Sequence, residues 1–301
     1  MWIQGSTLSI SQQALLAPRA PSPLQSQAHE LATQLIQSYG ARHIAHMALD
    51  FVHDHSPTKP TLVDDHLTFP LLTNPLSIPE GYGVKGGAAR ESLVEALTLN
   101  APRQPRDIDL VRRGQHRAPA DDAVARQFMG RDFELGARVE LIRNLDGYLT
   151  SRDLTINEVV AIDSTIHASL LCVLDTIGQV IRPSRYRGGT LHRKPSLHGQ
   201  SLLKMARLYA EGTCSGENWS ITGIPEEVSF SEFDLAVHLN KAFQRGRPVA
   251  DTFLHTCELL SLIPASNDRV RHALEELEHL RHGERGLFPD VPEHEWGTQE
   301  R

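Results

Sequence analysis

The sequence lacks the features of a membrane-spanning, disulfide-stabilised or zinc-bound protein. Its 301 residues include only three cysteines, and these lack the close spacing of a disulfide or zinc framework. No apolar run approaches the ~18 residues that a membrane helix needs. Residues 1–21 have neither a positively charged start nor a continuous apolar segment, so we expect no signal peptide. We therefore expect a cytoplasmic protein without a membrane partner.

The sequence also lacks an excess of positive charge: 37 Asp and Glu residues outnumber 30 Lys and Arg residues, and the net charge of −7 does not favour a general nucleic-acid binder. Residues 176–210 are the exception, since they contain no Asp or Glu. Such a run can follow a phosphate backbone, although charge runs are usually solvated surface paired with acids elsewhere. We favour the first interpretation and predict RNA contacts from Arg187, Arg193 and Lys194. The other basic residues of the run are Arg182, Arg185, Lys204 and Arg207.

A pair of glycines precedes a predicted helix. Gly86 and Gly87 have no side chains, so their backbone N–H groups can approach a ligand closely. Residues 88–99 contain no Gly or Pro and place apolar side chains at helical spacing. The free N–H groups and the dipole at a helix N-terminus attract an anion, and Lys85 and Arg90 add positive charge. We therefore predict a phosphate site here, although a glycine turn without a ligand has the same pattern.

Two carboxylates lie two residues apart further along the chain. Asp107 and Asp109 would point to the same side of a strand, while Ile108 and Leu110 would point towards a core. Carboxylates on one face repel each other unless a cation lies between them. Mg²⁺ is the expected cation, because it takes carboxylate and phosphate oxygens as ligands. Asp107 and Asp109 are thus candidate metal ligands and catalytic residues; a solvated strand edge is the alternative.

The segment Ser-Arg-Asp-Leu-Thr-Ile-Asn-Glu at residues 151–158 contains two separate signals. Thr155 and Glu158 have the spacing of a capping box, which predicts a helix continuing into residues 159–162. A cap does not account for the remaining polar residues, Arg152, Asp153 and Asn157.

In combination, the three segments resemble the class II nucleotidyltransferases, the superfamily of CCA-adding enzymes and bacterial poly(A) polymerases. The head domain of that family carries a Gly-Gly-x-x-Arg turn, then an Asp-x-Asp strand and an Arg-Arg-Asp-Phe-Thr-x-Asn segment. Here Ser151 replaces the first Arg of the last segment and Leu154 replaces its Phe. Residues 199–210 are similar to the family's neck helix, of which Arg207 and the apolar face are retained.

The resemblance implies an α+β fold, with a nucleotidyltransferase head built on a small mixed β-sheet, a helical N-terminal arm and a helical C-terminal domain. It also implies transfer of a nucleoside monophosphate from ATP or CTP to an acceptor hydroxyl, with release of pyrophosphate and the help of two Mg²⁺ ions. The residues that would bind the nucleotide are Gly86, Gly87, Arg90, Arg152, Asp153 and Asn157.

The family also has a third carboxylate, on a strand before the Arg-Asp segment. Glu140 is the best candidate, because Val139 and Leu141 would lie on the opposite face of its strand. A surface role is an equal alternative for Glu140 and for each of its rivals, Asp132, Glu134 and Asp146.

We expect three regions along the chain. Residues 1–79 form an N-terminal extension, helical over residues 26–54 with a break at Gly40, and irregular from Pro60 to Pro79. Residues 80–185 form the head domain. Residues 186–301 form the helical neck and C-terminal domain, with helices expected over residues 234–243, 251–262 and 267–283.

The acceptor remains open between RNA, such as a tRNA-like 3′ end, and a protein or small-molecule hydroxyl, as in toxin-like or antibiotic-modifying transferases. The second possibility stays open because the Glu-Asp-x-x-Arg element that reads the base in CCA-adding enzymes has no evident counterpart. A catalytically inactive nucleotide-binding module is a third possibility, against which Asp107 and Asp109 argue. Histidines also suggest an HD-type metal phosphohydrolase, for which a full ligand set cannot be assembled: His43, His46, His53, His55 and His66.

Overall fold

The structure, a computed structural model, describes most of the chain. The described residues are 20–37, 42–64, 66–73, 77–105, 108–129, 137–184, 195–224, 229–263 and 272, with residues 195–198 described by their backbone alone. The fold class is α+β, as predicted, because helices surround one mixed sheet.

Amphipathic sequence segments form the helices. The α-helices are α1 (Pro23–Gln37), α2 (Arg42–His55), α3 (Gly86–Thr98), α4 (Asp121–Met129), α5 (Leu145–Thr150), α6 (Leu170–Gly178), α7 (Pro195–Cys214), α8 (Glu232–Phe243) and α9 (Arg247–Leu259). A 3₁₀-helix spans Thr155–Asn157. None of the helices in the described part of the chain is long and apolar enough to cross a membrane.

Seven strands form the main sheet, in the order β1-β2-β7-β6-β3-β4-β5. They are β1 (Thr61–Val63), β2 (His66–Pro70), β3 (Tyr82–Lys85), β4 (Asp109–Arg113), β5 (Glu140–Ile142), β6 (Val159–Ile162) and β7 (Thr165–Ser169). Strands β4 and β5 are parallel and the other neighbours are antiparallel. A separate parallel pair joins β8 (Val180–Ile181) to β9 (Ser220–Ile221).

The two faces of the main sheet bury different amounts of apolar surface. The main core covers the face that carries Val84, Leu110 and Ala161, against α1, α2, α3 and α6. On the opposite face, α5 packs over a smaller apolar cluster that includes Val111 and Val160. The candidate site lies on this second face, because Lys85, Asp109 and Glu140 share it through the strand register.

A third core holds the C-terminal helices together. Helices α7, α8 and α9 pack against one another, and Leu154 and Ile156 from the Arg-Asp segment belong to the same cluster. This packing connects the predicted nucleotide-binding segment to α7, the helix that resembles the family's neck.

Two sequence-based expectations are wrong. The capping-box signal at Thr155 and Glu158 predicts a helix, but the short 3₁₀-helix is followed by strand β6. The β-branched residues of β6 are buried on both faces of the sheet, and this tertiary burial outweighs the local signal. Residues 60–79 are also not irregular throughout, because β1 and β2 lie within them, and the sheet therefore begins upstream of residue 80.

Several expected helices are confirmed. Helix α1 ends before Gly40 and α2 begins after it, and α3 covers the predicted segment after the glycine pair. Helices α8 and α9 match the two predicted C-terminal helices to within a few residues. The helix predicted over residues 267–283 lies almost wholly outside the described residues.

Candidate nucleotide and metal site

The glycine pair lies where β3 turns into α3. Lys85 is the last residue of β3, and Gly86 has a φ of 61°, in the left-handed region that favours glycine. Lys85 pairs with Asp109 across the two strands. A Cβ atom added to Gly86 would lie 3.0 Å from Oδ2 of Asp109. Glycine is therefore needed here both for the backbone conformation and for the close approach of the carboxylate.

Asp109 is the first residue of β4 and is half-buried. Its neighbours Ile108 and Leu110 pack against the main core, as predicted. Among the residues that the structure describes, none forms a hydrogen bond or an ion pair with the Asp109 carboxylate. A partly buried carboxylate is costly without a cation, so Asp109 has the chemistry of a metal ligand.

The other half of the predicted metal site lies outside the described residues, because Asp107 is not among them. Within the described part of the chain, no group of three or more His, Cys, Asp or Glu residues could hold a metal ion. Mg²⁺ commonly takes only one or two carboxylates and completes its ligand shell with water and substrate phosphates. The Asp109 carboxylate, which has no partner among the described residues and lies beside the glycine turn, is compatible with that arrangement.

Glu140 lies on β5, beside β4, and pairs in register with Val111. Its carboxylate forms ion pairs with Lys85 and with Arg152, whose Nη2 lies 3.0 Å from Oε1. Burial alone would raise the pKa of Glu140, but the charges of Lys85 and Arg152 outweigh burial and lower that pKa below its ordinary value. Two cations already compensate Glu140, so the geometry fits the positioning of Lys85 and Arg152 more closely than direct metal binding.

Arg152 is held from two sides. Its guanidinium carbon lies 4.0 Å from the centroid of the Tyr148 ring, which is a cation–π contact, and its Nε donates to the Tyr148 carbonyl oxygen at 3.2 Å. With Glu140 on its other side, the guanidinium is fixed near the Asp109 face of the sheet. Sequence reasoning missed Tyr148, although its position four residues before Arg152 was a signal that could have found it.

The remaining nucleotide-binding candidates form one hydrogen-bonded chain. Arg90 from α3 donates to Oδ1 of Asn157, and Nδ2 of Asn157 donates to Oδ1 of Asp153 at 2.7 Å. Lys204 from α7 donates to the other oxygen of Asp153 at 2.6 Å. Burial opposes ionisation of Asp153, but Lys204 and these hydrogen bonds hold its pKa well below the usual range. The chain thus ties the glycine helix, the Arg-Asp segment and α7 together.

Part of the predicted RNA-binding run is engaged within the protein. Arg182 pairs with Asp175, Lys204 with Asp153, and Arg207 with Glu211. The three residues chosen as RNA contacts, Arg187, Arg193 and Lys194, lie outside the described residues. The run therefore offers less free positive charge than the sequence alone suggests.

The structure describes some of the alternative carboxylates and histidines, and each of those with a known contact is engaged locally. Asp132 and Glu134 are among the residues not described. Asp146, on α5, accepts a hydrogen bond from Nδ1 of His66 at 2.8 Å. Two further histidines of the N-terminal cluster form local contacts, His53 with the carbonyl of Pro60 and His55 with that of Phe51. The described residues therefore do not assemble a phosphohydrolase site.

A line of polar side chains connects β2, β7 and β4 beside α5. Arg113 can only donate, so Nε2 of His167, at 3.0 Å, must accept from it. His167 then donates from Nδ1 to Nε2 of His66 at 3.1 Å, and His66 donates to Asp146. Burial, followed by the charge of Arg113, lowers the pKa of His167 to about 4. His167 is therefore neutral in the folded protein near pH 7.

This arrangement predicts an acid-sensitive contribution to stability. Because the pKa of His167 is lower in the folded protein than its usual 6.5, the unfolded chain binds the proton more readily, and stability falls as the pH decreases from about 6.5 to 4. Between pH 7 and pH 4.5, the free energy of unfolding of His167→Gln should fall by roughly 2 kcal/mol less than that of the wild type. Urea unfolding of both proteins at both pH values provides the measurement. His255→Gln, at a side chain that is 67% exposed, is the control. An equal loss in wild type and His167→Gln would contradict the assignment.

Comparisons with known proteins add little to this picture. A scan against protein-family models found no match, and a search of curated proteins found no significant match. Among solved structures, the chain is similar to one described as the complex structure of CCA-adding enzyme with CTP, at a TM-score of 0.36 and 13% identity, over 88% of this chain and 68% of that chain. A similarity this distant carries no argument about function.

Proposed function

We propose that the protein is a nucleotidyltransferase that moves a nucleoside monophosphate from ATP or CTP to an acceptor hydroxyl of RNA and releases pyrophosphate. The observation that carries this proposal is the Asp109 carboxylate, which has no partner among the described residues and lies against the glycine turn at the start of α3. A carboxylate with no partner among the described residues, beside the backbone N–H groups of a helix N-terminus, suits a cation and a phosphate together.

Each element of the site has a distinct role in this proposal. Asp109, with Asp107, would hold two Mg²⁺ ions, which would lower the pKa of the attacking hydroxyl and stabilise the leaving oxygens. Backbone N–H groups of Gly86 and Gly87 would bind the triphosphate. Arg152 would add positive charge where negative charge develops on the phosphates.

The chain from Arg90 to Lys204 would orient the nucleotide from the opposite side. Asn157 is buried and shares its amide between Arg90 and Asp153, so this part of the site is already ordered without a ligand. A site organised in advance loses less conformational freedom when the nucleotide binds.

Arg152 offers a test of the nucleotide-binding role. Arg152→Ala should lower kcat/KM for the NTP about 10- to 100-fold, because a hydrogen bond to a charged group contributes about 1.5–3 kcal/mol. Asn157→Ala should show a similar kinetic loss and also a lower melting temperature, since Asn157 is buried. Steady-state kinetics and thermal melts of both variants decide the matter. If both variants change the melting temperature but not the kinetics, the segment is structural.

The RNA acceptor predicts a strong salt dependence. Several phosphate contacts from residues 185–194 would release condensed counterions, so RNA affinity should fall by orders of magnitude between ~50 and ~200 mM salt. Charge reversal of Arg187, Arg193 and Lys194 together should weaken RNA binding and leave NTP binding nearly unchanged.

A protein or small-molecule acceptor is the second candidate, favoured by the internal pairing of Arg182, Lys204 and Arg207. The two candidates can be separated by incubating the protein with each α-labelled NTP, Mg²⁺ and total cellular RNA or protein, followed by gel separation. Label in RNA supports the first candidate and label in protein supports the second. No transfer to any acceptor and no release of pyrophosphate would argue against both.

A further inference from the structure

Tyr148 has no place in the family resemblance, yet its side chain lies at the centre of the site. Its ring packs in the apolar cluster between α5 and the sheet, beside Val111 and Val160, and covers the Arg152 guanidinium. Its hydroxyl extends from this cluster towards the carboxylates of Asp109 and Glu140, whose negative charges both contribute to raising the pKa of the phenol, after burial as the largest cause.

The Tyr148 hydroxyl is buried, and it forms no hydrogen bond of acceptable distance and angle with any of the described residues, although Glu140 is close by. Only 7% of the Tyr148 residue is exposed, so bulk water does not provide a partner. A buried hydroxyl without a partner destabilises a fold, and tyrosine hydroxyls usually find one. The Tyr148 hydroxyl therefore lacks a well-placed hydrogen-bond acceptor among the described residues.

Glu140 is the neighbouring acceptor, and its interaction with the hydroxyl contributes to raising the pKa of Tyr148, but it falls short of hydrogen-bond geometry. Both oxygens of Glu140 accept from cations, Oε1 from Arg152 and Oε2 from Lys85. The Asp109 carboxylate lies against Gly86 and makes no hydrogen bond with any described residue. An acceptor that arrives with a ligand, between Asp109 and Arg152, would satisfy the hydroxyl.

We propose that Tyr148 is a ligand-binding residue whose hydroxyl donates a hydrogen bond to an oxygen of the metal–nucleotide complex, either a phosphate oxygen or a metal-bound water. This inference rests on the proposed function, because it takes the same site and the same ligand. It adds a residue that the three sequence segments do not contain. If so, the Tyr148 hydroxyl lowers the stability of the ligand-free protein and increases its affinity for the ligand.

The test compares wild type with Tyr148→Phe, which removes only the hydroxyl. Without ligand, the melting temperature of Tyr148→Phe should equal or exceed that of wild type, because an unpaired buried hydroxyl is lost. Calorimetric titration with Mg²⁺ alone, with Mg²⁺ and tripolyphosphate, and with Mg²⁺ and a non-hydrolysable NTP analogue should show about 10-fold weaker binding in at least one case. Weakening with Mg²⁺ alone identifies a metal-bound water. Weakening only when phosphate is present identifies a phosphate oxygen.

Two controls keep the result interpretable. Tyr209→Phe, on α7, is a matched change in the C-terminal core and should leave all three affinities unchanged. In the wild-type protein labelled with ¹³Cζ-tyrosine, the resonance absent from Tyr148→Phe should shift when ligand is added. Equal affinities for wild type and Tyr148→Phe, with no such shift, would overturn the role of Tyr148 and leave the proposed function intact. A wild-type protein that binds none of the three ligands would overturn both proposals.

Discussion

Asp109→Asn is expected to reduce nucleotidyl transfer by roughly 10³-fold or more, because metal ligation supplies several kcal/mol of stabilisation in the transition state. The substitution keeps the size of the side chain but removes the charge that would hold Mg²⁺. Stability should change little, since Asp109 is only half-buried and makes no hydrogen bond or ion pair with the described residues. Pyrophosphate release measured over a Mg²⁺ titration is the direct assay.

Asp107→Asn should behave in the same way, because the two carboxylates are predicted to share the metal site. A thermal melt of each variant separates loss of chemistry from loss of fold. Full activity of either variant, or of the wild-type protein in excess EDTA, would contradict the two-metal assignment.

Asp175→Asn is expected to destabilise the protein by about 3–5 kcal/mol, because it removes one partner of a buried ion pair. Asp175 is fully buried and Arg182 is 7% exposed, and Nη2 of Arg182 lies 2.8 Å from Oδ1 of Asp175. Thr155 donates its hydroxyl to the other oxygen at 2.5 Å. The variant would leave the Arg182 charge buried without a counter-ion. Urea unfolding at pH 7 provides the measurement.

The pair itself is not optimal for stability. Burial raises the pKa of Asp175 to about 6, despite the opposing charge of Arg182. Because the folded protein then holds the proton more tightly than the unfolded chain, the stability from this group falls as the pH rises from about 4 to 6. Asp175→Leu combined with Arg182→Met should therefore recover much of the loss seen in Asp175→Asn.

An exposed ion pair offers the matched control for this prediction. Arg247 and Asp251 lie one helical turn apart with side chains 77% and 56% exposed, and Asp251→Asn should cost less than about 1 kcal/mol. Equal losses of stability in Asp175→Asn and Asp251→Asn would contradict the stronger effect expected for the buried pair.

Local sequence patterns predicted the parts of the site that depend on short-range geometry. The glycine turn before α3 and the inward direction of Leu110 follow from residue type and strand alternation, and both are confirmed. Helix α3 also follows from spacing alone. These features require no knowledge of which distant elements come together.

Long-range packing produced the features that the sequence could not indicate. Thr155 carries a cap signal, yet its hydroxyl bonds to Asp175 from α6, and the chain continues as a central strand. Lys204 belongs to a basic run, but it forms an ion pair with Asp153, which lies 51 residues away in sequence. In both cases the partner is chosen by tertiary packing, which overrides the local pattern.

The central claim, that Asp109 and the glycine turn hold a metal–nucleotide complex, is tested most directly by a crystal structure with Mn²⁺ and a non-hydrolysable NTP analogue. Our account predicts an anomalous Mn²⁺ peak within about 2–2.5 Å of an Asp109 carboxylate oxygen, as expected for a hard cation with oxygen ligands, and triphosphate oxygens at the backbone N–H groups of Gly86 and Gly87. A nucleotide bound elsewhere, or a metal ion that does not touch Asp109, would contradict it.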